Sequence, residues 1–182
     1  MATCGKDNVI CIWNYIEHTL EVKEEFGEEP FSLAFHPSGF HLVVGFADKL
    51  RIMNIFEKTI EVYKEIPMKT CREVRFSHGG HLFAASNGHV IQVFNFYTAE
   101  NPAEFHFKGH SGKVSSISWH EDDTGFVSVG ADGNCYEWKL YTQPNEPKPH
   151  PYTAKGFSFS SVATTSMLSA ENRTCYAVSS NT

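Results

Sequence analysis

His110, Ser128 and Asp132 are the residue types of a hydrolytic triad. Such a triad needs an exposed serine beside its base and an oxyanion hole facing both. The surrounding sequence offers no G-x-S-x-G elbow, no glycine-rich phosphate loop and no H-E-x-x-H helix. Two histidine pairs raise the prospect of a metal: His78 and His81 flank Gly79-Gly80, and His36 and His41 flank a second turn. Neither pair has a carboxylate or thiolate at ligand spacing, so turn polarity is the expected role. The five cysteines, Cys4, Cys11, Cys71, Cys135 and Cys175, are odd in number and contain no C-x-x-C. Most of them are expected to be small buried hydrophobes rather than a disulfide framework or zinc site. No catalytic, cofactor or metal site is therefore expected.

The chain holding these residues has 182 residues, enough for one domain, with 41% hydrophobic and 20% charged residues. No apolar run reaches the length of a membrane helix, and the first residues lack a signal-peptide pattern, so a soluble intracellular chain without membrane contact is expected. A net charge of −6 argues against non-specific nucleic-acid binding, which needs a basic footprint. The acidic stretch 21–29 reads as a solvated strand edge or loop; a docking site for a basic partner is the sharper alternative.

Apolar and polar residues alternate over short runs such as Val43-Val44-Gly45, Leu50 to Met53, Val90 to Phe94 and Val114 to Trp119. No segment carries a sustained helical period with a cap, so the chain reads as all-β. The runs repeat. Trp13-Asn14, Met53-Asn54, Phe94-Asn95 and Trp138-Lys139 fall at steps of 40, 41 and 44 residues, preceded in phase by Asp7, Asp48, Asn87 and Asp132. Four strands in a unit of this length predict β-propeller blades.

Residues 108–140 carry the fullest pattern, from Gly109-His110 to Glu137-Trp138-Lys139. This unit resembles the WD-repeat family. The resemblance implies a structural hydrogen-bond tetrad of His110, Ser128, Asp132 and Trp138, which ties the three triad-like residues into the blade instead of exposing them for catalysis. Lys139 replaces the family's usual aspartate. The second and third units carry Met53 and Phe94 in place of the tryptophan and are expected to rely on packing. The expected organisation is an incomplete arc: a partial blade at 1–14, three blades over 15–142, a Pro-rich inter-blade loop at 143–151 and a truncated partial blade at 152–182. A fragment of a longer chain is the corresponding expectation, because an open arc exposes apolar blade faces.

Residues 31–54 and 71–95 look like the large axonemal WD-repeat proteins, through His36-Pro37-Ser38-Gly39, the stretch from Val44 to Asn54, and Cys71-Arg72-Glu73 with Gly79-Gly80-His81-Leu82-Phe83. That resemblance implies a non-catalytic scaffold in the cytoskeleton of the cilium or flagellum, near doublet microtubules and inner dynein arms. Its implied partners are dynein-associated or doublet adaptor chains and the remaining blades of its own chain, a longer one with a coiled coil. A soluble peptide-binding adaptor, such as a ubiquitin-ligase substrate receptor, is the alternative. Loops build the faces of a propeller. Lys6, Lys49, Lys113 and Asn134 are the candidate partner-binding residues on one face.

Overall fold

The computed structural model describes residues 1–141, 149–166 and 174–181. The alternating runs fold as strands, and Gly, Asp and Asn turns close them into antiparallel meanders. The first sheet holds β1 (Ala2–Cys4), β2 (Val9–Asn14) and β3 (Thr19–Glu25). The second holds β4 (Ser32–Phe35), β5 (His41–Gly45), β6 (Lys49–Ile55) and β7 (Ile60–Pro67). The third holds β8 (Val74–Phe76), β9 (Leu82–Asn87), β10 (Val90–Asn95) and β11 (His106–Lys108), with a 3-10 turn at Ala103–Phe105 before β11. The fourth holds β12 (Val114–Trp119), β13 (Gly125–Gly130), β14 (Asn134–Lys139) and β15 (Tyr152–Thr153). A hairpin of β16 (Ser158–Ser166) and β17 (Thr174–Asn181) follows. Among the described residues no helix is long and apolar enough to cross a membrane.

These sheets are displaced by one strand from the units read in the sequence. The strand that opens each sequence unit pairs backwards: β3 with β2 (Val9↔Glu25), β7 with β6 (Leu50↔Ile66) and β11 with β10 (Ile91↔Phe107). The first sheet thus runs past Asn14 to Glu25. The fourth takes its outer strand from Tyr152–Thr153, beyond the Pro-rich segment. Residues 142–148, most of that segment, lie outside the described residues. Repeat phase is set by the turns, whereas sheet membership is set by which edge a strand finds free.

The sheets stack face to face, so most central strands are covered on both sides. Successive side chains point to opposite faces of a strand. Val44 accordingly joins Ile10 and Met53 in the cluster between the first and second sheets, while Val43 joins Phe83 and Phe94 between the second and third. Ala84, Val93, Phe126 and Trp138 fill the space between the third and fourth. Val127, Val129 and Val162 lie between the fourth sheet and the β16–β17 hairpin. Double coverage explains why β13 is buried at every position and β5 from Leu42 to Gly45. Each fully buried Phe or Leu contributes about 1.5–3 kcal/mol.

Polar contacts fix neighbouring sheets further. The Asp123 carboxylate in the β12–β13 turn accepts the backbone N–H groups of His78 (2.8 Å) and Gly79 (2.7 Å) in the β8–β9 turn. Trp119 Nε1 donates to the Arg75 carbonyl at 3.1 Å, and Lys64 Nζ to the Thr98 carbonyl at 2.8 Å.

Candidate functional site

A meander alternates its ends. The loop entering the first strand of each four-stranded sheet and the turn joining the second to the third strand share one end, here the His110 end. Gly109, His110 and Lys113 lie in the loop before β12, and Asp132 lies in the β13–β14 turn. Ser128 on β13 pairs in register with Tyr136 on β14, and Trp138 lies two residues further along β14. Trp138 Nε1 is 2.7 Å from Ser128 Oγ, Ser128 Oγ is 2.8 Å from His110 Nε2, and His110 Nδ1 is 3.1 Å from Asp132 Oδ1.

Donor inventory gives this chain a direction. Indole N–H only donates and a carboxylate only accepts. Trp138 therefore donates to Ser128, the Ser128 hydroxyl donates to Nε2 of a neutral His110, and Nδ1–H donates to Asp132. A second imidazole proton would point at the Ser128 oxygen and take away the acceptor of its hydroxyl proton. Burial pushes the His110 pKa below its ordinary value, against the upward pull of Asp132. Burial alone would raise the Asp132 pKa; the Ser111 N–H (2.8 Å), the His110 ring and the Asn134 amide (3.1 Å) outweigh it and hold the carboxyl at about 2. Asp132 is thus a buried anion with its lone pairs met, the condition under which such a group is tolerated.

Two glycines make room. A Cβ on Gly130 would stand 2.7 Å from both His110 Nδ1 and Asp132 Oδ1. One on Gly109 would stand 2.8 Å from the Trp138 ring, which stacks on Tyr136 at 5.0 Å; the Tyr136 hydroxyl donates to the Gly109 carbonyl at 2.9 Å. The Gly-His pair is a packing requirement as much as a polar one.

Ser128 is 0% exposed. A substrate carbonyl cannot reach a hydroxyl sealed beneath Trp138 and His110, so the triad geometry here lacks the access that acyl transfer demands.

The other sheets complete less of this chain. In the first, Trp13 Nε1 donates to Thr3 Oγ1 at 2.9 Å, the same indole-to-hydroxyl bond across the same ten-residue separation as Trp138 to Ser128. Asp7 follows Thr3 by four residues, as Asp132 follows Ser128. Thr3 was not among the sequence-read residues, although these two spacings carried the signal. In the second sheet Val44 and Met53 hold the corresponding places and Asp48 is 70% exposed, against 6% for Asp132. In the third, Phe94 stacks on Phe83 at 5.2 Å.

The four sequence-read docking residues all lie at the His110 end, with unequal availability. Lys6 and Lys113 are exposed. Lys49 is held by Glu28 at 2.8 Å, beside the Arg51 bridges to Glu28 (3.3 Å) and Glu65 (2.7 Å). Asn134 is taken up by Asp132 and by the Thr153 hydroxyl (2.7 Å). Three of the four paired histidines have ordinary partners: His36 Nδ1 bonds Ser38 (2.8 Å), His41 Nδ1 bonds Asn54 (2.9 Å) and His78 Nδ1 bonds the His120 carbonyl (3.0 Å). Among the described residues no three His, Cys, Asp or Glu side chains gather as a metal would require. Cys71 and Cys135 are buried and reduced, and burial pushes their thiols up to about 12 and about 11.

Stacked four-stranded meanders with a Trp–Ser–His–Asp hydrogen-bond chain define a β-propeller segment of the WD-repeat class, and residues 102–139 match the family model described as "WD domain, G-beta repeat". The chain belongs to the WD-repeat family. Within it, the chain is similar to cilia- and flagella-associated protein 57 of Mus musculus, at 46% identity over 164 residues, which cover 90% of this chain and 13% of the relative. It is also 50% identical over 140 residues to cilia- and flagella-associated protein 57 A of Tetrahymena thermophila, covering 77% of this chain and 11% of that protein. Human echinoderm microtubule-associated protein-like 4 is 23% identical over 145 residues, covering 77% of this chain and 15% of its own length. The chain therefore spans only a small part of the curated relatives it matches.

Proposed function

We propose that this chain is a non-catalytic scaffold of the ciliary or flagellar axoneme, a rigid docking platform for proteins associated with doublet microtubules and inner dynein arms. The observation that carries the reading is 46% identity with a cilia- and flagella-associated protein across 90% of the chain. The sealed Ser128 supports a role without turnover. In this reading His110, Ser128, Asp132 and Trp138 clamp the fourth blade together. Of the four candidate docking residues, Lys6 and Lys113 are left open to a partner. Trp13, Tyr15 and Leu20 expose apolar surface on the first sheet that suits a further blade of the same propeller.

An antibody raised against residues 31–54 tests this on native cilia. A band far above 20.5 kDa that stays with salt-washed axonemes is the expected result. A band near 20.5 kDa in the soluble fraction would reject the axonemal scaffold.

A further inference from the structure

The end of the sheets away from His110 has a different surface. Three residues after Trp13, Met53, Phe94 and Trp138 stand Ile16, Phe56, Tyr97 and Tyr141, at the same place in four consecutive sheets. All four are between 50% and 75% exposed. Phe40, in the β4–β5 turn, adds a fifth exposed apolar side chain; its carbonyl accepts Ile55 N–H at 2.8 Å, which sets it beside Phe56. The backbone under the row is fixed. Asn14 Oδ1 accepts Ile16 N–H at 3.1 Å, Asn95 Oδ1 accepts Tyr97 N–H at 2.9 Å, and Phe56 N–H donates to the Thr59 carbonyl at 2.9 Å. Single exposed apolar side chains are ordinary, but a row repeated sheet after sheet is a contact surface.

The charge at this end is acidic. Glu17, Glu57, Glu100, Glu104, Glu121 and Asp122 stand in its turns, against Lys58, Lys64 and Lys139. Lys64 is already engaged with the Thr98 carbonyl. Exposed rings flanked by carboxylates suit a ligand that brings both apolar side chains and cations, since the ring faces also attract Lys and Arg.

We infer that this end docks an extended basic segment of a partner protein, its apolar side chains seated along Ile16, Phe56, Tyr97 and Tyr141 and its Lys or Arg residues beside Glu17, Glu57 and Glu100. The inference rests on the docking-platform reading and assigns that platform a second face and a partner chemistry. A second copy of the same acidic end would be repelled.

The test places a photo-crosslinking residue in the full-length protein in cilia, as Tyr97→p-benzoylphenylalanine and, separately, Lys113→p-benzoylphenylalanine at the His110 end. The expected result is a Tyr97 crosslink to one partner segment that is net positive and contains apolar residues. Its yield should fall roughly three- to tenfold in Glu17→Lys/Glu57→Lys/Glu100→Lys at low salt, with an unchanged melting midpoint. A Tyr97 crosslink to an acidic segment, to lipid or to a second copy overturns the inference, as does a yield indifferent to charge reversal. Crosslinking from Lys113 alone rejects the basic segment but leaves the docking platform standing. Silence at both positions rejects both.

Discussion

Met53 in the second sheet and Trp138 in the fourth occupy the same place on their strands, as do Val44 and Ser128 beside them. One pair closes its blade by contact alone, inside a cluster with Ile10 and Leu42. The other closes it through a directed chain that ends on a buried carboxylate. Apolar contact has no direction and no obligatory partner, so the second sheet does without the histidine and leaves Asp48 in water. The polar chain is worth its full value only when every member is present, because each loss strands a buried donor or acceptor.

The largest effect should come from the apolar side. Met53→Ala empties a fully buried site and is expected to cost about 2–5 kcal/mol in urea unfolding, with little dependence on pH. A loss well below this range would show that the second sheet has support beyond packing. Asp132→Ala leaves His110 Nδ1, Ser111 N–H and the Asn134 amide unpaired and should cost about 1–3 kcal/mol. An unaltered unfolding midpoint for this variant would erase the distinction between the two sheets.

Acid sharpens the comparison without mutation. Asp132 sits at about 2 in the fold against an ordinary 3.8, so its contribution is present above about pH 3.8 and is lost as pH falls through about 2. The His110 pKa is also lowered, so stability begins to decline as pH drops below its ordinary 6.5 toward the folded value. Trp138 reports the fourth sheet and Met53 the second. Side-chain NMR should therefore find the fourth sheet loosening first on acidification, and simultaneous loss of both would contradict this. The smallest effect is expected from Trp13→Phe, which removes one hydrogen bond from a partly exposed indole. Thermal unfolding should register less than about 1 kcal/mol.

Much of this was legible in the sequence because turns are rigid punctuation. Asp7, Asp48 and Asp132 and the large residue after each kept one phase, and the resemblance to the WD-repeat family then singled out His110, Ser128 and Trp138. Pairing was less legible. The phase says where strands begin but not that β3, β7 and β11 attach to the sheet before them. Long-range contacts also escaped: Lys49 and Asn134 read as open side chains, because Glu28 and Thr153 lie 21 and 19 residues away in the chain and only the fold brings them near. Thr3 was less legible because a lone hydroxyl in a short strand has no pattern of its own, although its spacing to Trp13 repeats that of Ser128 to Trp138.

Every strand pair described here joins neighbours in chain order. That order sets a timetable for synthesis on the ribosome. At about 5–20 residues per second, the four residues between β6 and β7 emerge in under about a second, so a bare strand edge waits only briefly for its cover. Among the described strands none must be kept aside for a distant partner, and a nascent chain can set each sheet against the last one while the next is still being made.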